Sequence, residues 1–457
     1  MKFKRIKKLH FVGIGGVGMC GIAEILHNTG YEITGSDLKS SETTAHLENL
    51  GIKINYAHDP GNIAGSDVIV TSSAVTDDNP EVKEAHSRKI PVIKRAEMLS
   101  ELMRMKLSVA VAGTHGKTTT SSLIGHVLKS GGFDPTVIIG GRVLGVGSNA
   151  YLGRSEYLVA EADEFDRSIM KFSPTIAVIT SLEPEHMECY EDYADLENCF
   201  VEFANRVPFY GSVILCMDDP GVAAIESRIT RPVITYGLST EYNFGATDLI
   251  FNEDGTEFSL YHDEVYLTKV KSRLLGKHNV RNLLAAIAAA YDLEAPLEKV
   301  VPEIINFEGV NRRMEYAGEA RGIKFYDDYG HHPTEIRTTI EGMKEIFKGR
   351  IVTVFQPHLY SRTKRFSDEF AKSLLGADKV VILDIYPARE RPINGVSGEI
   401  IVEAARRSGH RDIMFFKNKE QLPTMMKEIL QAGDRVILFG AGDVYKYTPK
   451  IIENLKE

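Results

Sequence analysis

The sequence predicts an α/β protein of three domains, and three observations predict it. The chain has 457 residues, and roughly 150 residues per domain makes three the natural count. Short apolar strand patterns alternate with helical runs along its length, the mark of sheets covered by helices. Two glycine-rich loops, GIGGVG at 13–18 and GTHGKT at 113–118, each follow a strand pattern and precede a helical one.

In order, LHFVG reads as a short buried strand. A helical run through Ile22, Ile25 and Leu26 follows and stops at Gly30. EITGSD, DVIVTSSAV and PVIK are further strands. Near Leu102 to Lys106 the chain turns basic and Met-rich, and LSVAVAG starts afresh, so the first domain is set at 1–104. YLVAEAD, TIAVITS and SVILCMDD repeat the apolar strand pattern, FSLYHDEVYL alternates like an antiparallel ribbon, and NVRNLLAAIAAAYDL is a strong helix. These make a second domain, 105–310. A third, 311–457, has five strand candidates: GIKFYDDYG, RIVTVFQP, KVVILDIYP, DIMFF and RVILFGAG. The hinge before it is placed near Gly309 to Gly318.

The formal net charge of -9 argues against nucleic acid or an anionic membrane as partner. Cys20, Cys189, Cys199 and Cys216 show no CxxC spacing, which fits a reducing compartment and excludes a metal knot. The opening MKFKRIKKLHFVGIGG is basic and then apolar, but its apolar run dissolves into turn glycines and does not read as a signal peptide. No apolar run approaches the ~18 residues of a membrane span. The expectation is a cytoplasmic protein, monomeric or homodimeric.

The first loop fits GxGxxG. Gly13 permits the tight turn, Gly15 lets a diphosphate approach the backbone, and Gly18 lets helix and strand pack closely, with Gly16 between them. The helix N-terminus offers N–H groups to an anion. Asp37 ends the second strand, where an acid would hold a ribose hydroxyl. A dinucleotide or a UDP-sugar would satisfy this loop equally. The second loop lacks the first glycine of GxxxxGK[ST], because Val111 stands there. Gly113, Thr114, His115, Gly116, Lys117, Thr118 and Thr119 nonetheless supply the parts of a triphosphate cradle: backbone N–H groups, a lysine charge and a hydroxyl for Mg²⁺.

GIGGVGM, SSAV, AGTHGKTTT, EADEFDRS, LEPEH, GKHNVRN, GVNRRME, DDYGHHPTEI and FQPHLYSRT, in that order, give the whole chain a resemblance to the Mur ligase family. These are ATP-dependent amide-forming enzymes of peptidoglycan precursor synthesis. The resemblance implies a Rossmann-like UDP-binding domain, a central P-loop ATPase-like domain with a mixed sheet, and a C-terminal Rossmann-like domain. It explains the two loops: one would hold the UDP of the acceptor, together with Ser72 and Ser73, and the other ATP.

The resemblance also implies roles. Thr118, Glu161 and His186 would bind Mg²⁺. Here Glu185 and Glu188 stand where relatives carry aspartates, keeping the charge on a longer arm. Asn279, otherwise readable as a helix cap, would face adenine. Arg313 is favoured over Arg312 as the hinge arginine that reaches nucleotide. Asp328 would hold the ATP ribose, Tyr329 and His331 would lie near the incoming amino acid, and His358 and Arg362 would face the reacting groups. Leu359 replaces an arginine found in many relatives. No lysine occurs between Lys171 and Lys269, so the carbamylated lysine of some sister enzymes has no counterpart.

The implied reaction joins L-alanine to the lactyl carboxylate of UDP-N-acetylmuramate through an acyl phosphate, with ATP and Mg²⁺. Lys117 neutralises phosphate, and His186 or His331 serves as general base. The rivals are a recycling ligase that attaches a whole tripeptide to the same UDP-sugar, an NAD-dependent dehydrogenase, and a non-catalytic UDP-sugar scaffold. The dehydrogenase leaves GTHGKTTT idle.

Overall fold

A computed structural model describes residues 5–72, 74–140, 150–185, 187–388 and 390–456. Ser73 and His186 lie outside the described residues, as do the side chains of Val17, Asp166 and Glu188. The chain forms two compact units. The first comprises Met1–Leu249, Phe258–Lys271 and Arg281–Glu308; the second comprises Ile250–Glu257, Ser272–Val280 and Gly309–Glu457.

The first unit opens with five parallel strands: β1 (Lys8–Val12), β2 (Glu32–Ser36), β3 (Lys53–Asn55), β4 (Val68–Thr71) and β5 (Val92–Lys94), in the order β3-β2-β1-β4-β5. Strand β1 shows why they form. Leu9 and Phe11 face one way, into a core with Ile22, Ile25 and Leu26 of the helix Val17–Asn28. Val12 faces the other way, onto Ile63, Ile69 and Ala85. A parallel sheet covered on both faces needs apolar residues at nearly every position.

A second sheet follows, from β6 (Leu107–Ala112), β7 (Thr136–Ile138), β8 (Ala150–Tyr151), β9 (Tyr157–Glu161), β10 (Ile176–Ile179), β11 (Ser212–Cys216), β12 (Val233–Gly237), β13 (Phe244–Asn252), β14 (Gly255–His262) and β15 (Val265–Ser272). Its order is β15-β14-β13-β12-β11-β10-β6-β9-β7-β8. Strand β6 is parallel to β9 and β10, while β7 and β8 are antiparallel, so the sheet is mixed. The expected ribbon is β14 and β15. Strand β12 carries no mark in the sequence reading. The predicted helix runs Lys277–Asp292, and Leu283 to Ala290 are all buried. Its apolar character on every side is that of a core helix.

The second unit holds β16 (Glu315–Ala320), β17 (Ile323–Asp328), β18 (Ile351–Phe355), β19 (Lys379–Leu383), β20 (Ile413–Phe416) and β21 (Arg435–Phe439), ordered β16-β17-β21-β18-β19-β20. The five expected strands are parallel, as β17–β21, β21–β18, β18–β19 and β19–β20 pairs show. Strand β16 is a correction. Its sequence, EYAGEA, lies partly in the stretch read as hinge, yet it pairs antiparallel with β17 at the sheet edge. An edge strand needs one apolar face at most, so its polar composition hid it.

Candidate active site

The triphosphate-type loop springs from the C-terminal end of β6, between β9 and β10, where open α/β sheets bind ligands. It is stapled to the residues after β10. Thr114 N–H donates to the Ser181 carbonyl (3.1 Å), His115 N–H to Ser181 Oγ (2.8 Å), and Thr180 Oγ1 to the carbonyls of Ala112 (3.2 Å) and His115. Gly113 has φ +135°, and a Cβ there would collide with Thr180 Oγ1. Gly116 has φ +80° and caps the helix Lys117–Ser130; a Cβ there would lie 2.8 Å from Asn282 Oδ1. Both positions therefore require glycine. Asn282 also accepts from Thr120 Oγ1 (3.1 Å), so it backs the loop.

Lys117 Nζ donates to the Gly113 carbonyl (2.6 Å) and to both Glu164 oxygens (3.0 and 2.9 Å). Burial works against its charge, but the carboxylates of Glu164, Asp163 and Glu185 hold its pKa above the ordinary lysine value. Glu164 is fully buried, and Tyr190 Oη donates to its main-chain carbonyl (2.6 Å). Glu161, the last residue of β9, accepts the Gly140 N–H (2.9 Å). An excess of carboxylates around one lysine, with the Thr118 hydroxyl position on the same loop, is an all-oxygen donor set of the kind Mg²⁺ prefers. His186, the remaining expected ligand, lies outside the described residues.

The first glycine loop is built on Ser36 and Asp37. The Ser36 carbonyl accepts the N–H groups of Gly13 (2.8 Å) and Ile14 (3.0 Å), and Asp37 Oδ2 accepts that of Gly15 (2.9 Å). Gly13 has φ +77°; a Cβ there would sit 2.8 Å from Ser72 Oγ, and one at Gly15 would sit 2.9 Å from Asp37 Oδ2. A Cβ at Gly18 would meet Arg95 Nη1 at 3.3 Å, whereas Gly16 has more room. No side chain caps the helix that starts at Val17; the Met19 N–H turns back to the Gly16 carbonyl (2.9 Å), and the uncapped start is of the kind that receives anions.

In the second unit, β17 delivers Asp328, Tyr329 and His331 to the start of the helix Pro333–Ile346. Asp328 is buried and accepts from the N–H groups of Gly330 (2.7 Å) and Met314 (2.9 Å). Burial pushes its carboxyl up to about 6. Arg312 (φ +58°) and Met314 (φ +48°) are left-handed on either side of Arg313. Strain of this kind costs on the order of 1 kcal/mol per residue and collects at functional segments. Arg312 lies between the Tyr329 and Tyr445 rings, 4.8 and 4.3 Å from their centroids. Arg313 instead pairs with Glu335 (3.1 Å).

Glu335 also accepts the His331 N–H (3.0 Å) and the His332 N–H (3.2 Å), which closes the helix start. His331 Nδ1 meets the Tyr329 carbonyl at 3.1 Å. Burial lowers the pKa of His331 to about 3, with Glu335 opposing and the Arg362 charge assisting. The imidazole is therefore neutral at pH 7, and with Nδ1–H on a carbonyl its Nε2 is an acceptor. His358 lies 6.2 Å from His331, centroid to centroid, and stacks on Tyr386 at 5.7 Å. Leu359 next to it has φ +72°. Asn279 donates to the Leu275 carbonyl (2.8 Å).

The chain matches three family descriptions: Mur ligase family, catalytic domain, over residues 8–107; Mur ligase middle domain over 111–290; and Mur ligase, glutamate ligase domain over 312–442. This chain belongs to the Mur ligase family. It is 48% identical over 455 residues to a UDP-N-acetylmuramate–L-alanine ligase of Geobacter sp. (strain M21), covering 99% of each chain. A protein of the same description from Syntrophotalea carbinolica is 47% identical, covering 100% of this chain and 99% of the relative. Among solved structures, the UDP-N-acetylmuramate-alanine ligase of Thermotoga maritima superposes with a TM-score of 0.81 at 28% identity, covering 98% of each chain. A murein peptide ligase from Psychrobacter arcticus shares the fold at 23% identity, with a TM-score of 0.72 over 99% of each chain.

Within this Mur ligase, Gly113 to Thr119 form one loop and helix start, with Glu161 at the end of the neighbouring strand. Gly13, Gly15, Gly16, Gly18, Asp37 and Ser72 form a second cluster, and Arg313, Asp328, Tyr329, His331, His358 and Arg362 a third. Sequence reasoning saw Glu164 as one acid of EADE without its pairing to Lys117, and gave Asn282 and Glu335 no role. All three stood inside quoted motifs, and Glu335 has the spacing of a capping-box acid. Asn282 is three residues beyond Asn279, one helical turn away.

Proposed function

We propose that this Mur ligase joins L-alanine to the lactyl carboxylate of UDP-N-acetylmuramate, consuming ATP in peptidoglycan precursor synthesis. The carrying observation is a pair of distinct phosphate-type loops in one unit, Gly13–Gly18 for the UDP-sugar and Gly113–Thr118 for ATP. The strong likeness to L-alanine ligases over the full chain favours that amino acid.

The carboxylate oxygen of the sugar attacks the γ-phosphorus of ATP, and the bond from that phosphorus to the ADP oxygen breaks. The resulting acyl phosphate replaces a poor leaving group with a good one. The amine of alanine then attacks the carbonyl carbon, and phosphate departs with the original carboxylate oxygen. The chain contributes position and charge more than covalent chemistry. Lys117 exchanges Glu164 for phosphate oxygens. Mg²⁺, held by Thr118, Glu161 and His186, would neutralise phosphate charge when bound. We assign Asn279, Arg313 and Asp328 to the nucleotide, and Tyr329, His331, His358 and Arg362 to the amino acid and the reacting groups. His331, neutral with Nε2 as acceptor, is oriented to take a hydrogen bond from the alanine ammonium, but at a pKa of about 3 it is a weak base for that proton. His186 is the other candidate base.

The test is phosphate release from ATP in the presence of UDP-N-acetylmuramate, with L-alanine or with the tripeptide. Release that depends on L-alanine is the expected result. Release that depends on the tripeptide instead would assign the chain to recycling.

A further inference from the structure

One face of the five-stranded sheet carries a buried polar network that the ligation steps do not use. Its centre is Glu81, in the first turn of the helix Pro80–Ser87, with no solvent exposure. Glu81 Oε2 accepts from Ser36 Oγ (2.6 Å) and meets His58 Nδ1 at 3.1 Å. Glu81 Oε1 accepts from Asn62 Nδ2 and lies 3.7 Å from Nε2 of His10. His10 is itself fully buried in β1, its Nδ1 2.8 Å from Thr34 Oγ1 on β2. Burial works against the Glu81 charge, but His10, Ser36 and Asn62 hold its pKa at about 2. The group is an ionised carboxylate inside the sheet packing, a costly arrangement that an apolar side chain would replace with gain if packing were its sole task.

Ser36 is the joint between this network and the first glycine loop. Its hydroxyl is fixed by Glu81, and its carbonyl receives the N–H groups of Gly13 and Ile14. The next residue, Asp37, receives that of Gly15. Three successive loop N–H groups therefore hang on a dipeptide whose first side chain is tied to Glu81. His58 and Asn62 extend the tie to the segment after β3, and His10 extends it to β1. We infer that Glu81 is a positioning residue for the acceptor's uridine diphosphate, holding the end of β2 so that the Gly13–Gly18 loop keeps the shape that receives a diphosphate. This inference rests on the ligase reading above.

The test uses the full chain and calorimetric titration with UDP, and separately with a non-hydrolysable ATP analogue and Mg²⁺, for the wild type, Glu81→Gln and Ser36→Ala. Both variants are expected to bind UDP about tenfold more weakly, the scale of one lost buried hydrogen bond. KM for the UDP-sugar should rise by a similar factor, while kcat at saturation and affinity for the ATP analogue hold. Should Glu81→Gln fail to fold, Ser36→Ala decides alone. UDP affinity unchanged in the folded variants, or a parallel loss of ATP-analogue affinity, overturns the inference and leaves the ligase reading standing. A wild type that binds no UDP overturns both.

Discussion

Lys117 Nζ sits 3.0 and 2.9 Å from the two carboxylate oxygens of Glu164, and Glu164 is wholly buried. This loop lysine therefore rests on an internal counter-ion, which nucleotide phosphates would displace in the proposed reaction. This pair decides how the simplest mutant should be read.

Lys117→Ala removes the positive charge proposed to meet phosphate and also strands Glu164. Removing one partner of a buried pair costs about 3–5 kcal/mol, so this variant should melt lower as well as lose turnover. Lys117→Ala with Glu164→Gln should recover most of the melting temperature and none of the phosphate release. Recovery of ligation by the double variant would contradict the role given to Lys117.

The two glycine loops should fail separately. Gly15→Ala places a Cβ 2.9 Å from Asp37 Oδ2, and Gly113→Ala drives one into Thr180 Oγ1 at φ +135°. Titration should show the first losing UDP and keeping the ATP analogue, and the second the reverse. NADH should bind neither variant nor the wild type; a fluorescence change on adding NADH to the wild type would favour a dehydrogenase.

Asp327 supplies a pH test of the second unit. It is buried against Thr448 Oγ1 (2.6 Å), and burial pushes its carboxyl up to about 7, from 3.8. The folded state then holds more protons than the unfolded state between those values. Its contribution to stability is full below about pH 3.8 and is lost as pH rises through about 7. Asp327→Asn should therefore gain stability relative to wild type between pH 5 and 8, by about 1–3 kcal/mol. Denaturant melts at the two pH values that show no change in the difference would contradict this.

His331 behaves differently, because its pKa is lowered to about 3. The unfolded chain takes up its proton near 6.5, so this contribution is present above pH 6.5 and is lost as pH falls towards 3. The imidazole remains a neutral acceptor across the working range. His331→Gln should lower kcat by about tenfold, the scale of one lost hydrogen bond, without creating or removing an acid limb near pH 6.5. A limb at that pH that disappears in the variant would contradict the neutral-imidazole assignment.

Much of this was legible because the informative contacts are local. Gly13, Gly15, Gly113, Gly116 and Lys117 announce themselves by spacing, since loop shape and helix start are set within a few residues. Strand β16 was missed because an edge strand can be polar throughout. Glu81 and Ser36 were missed because their bond closes across 45 residues of chain, and nothing in either neighbourhood reports a partner at that distance. Glu164 was visible as an acid in EADEFDRS, but pairing with Lys117 depends on β9 lying beside β6, which periodicity alone does not say. Asp37 was read as a ribose ligand; its oxygens already hold the Gly15 and Leu38 N–H groups, so it shapes the loop in addition to any contact with sugar.

The central claim is that a sugar carboxylate is activated by phosphoryl transfer before the amine attacks. UDP-N-acetylmuramate labelled with ¹⁸O in its lactyl carboxylate, incubated with the protein, ATP, Mg²⁺ and L-alanine, tests it directly by mass analysis of the released phosphate. One labelled oxygen in each phosphate, with the other retained in the new amide, is the predicted result. Phosphate released without label would contradict the account.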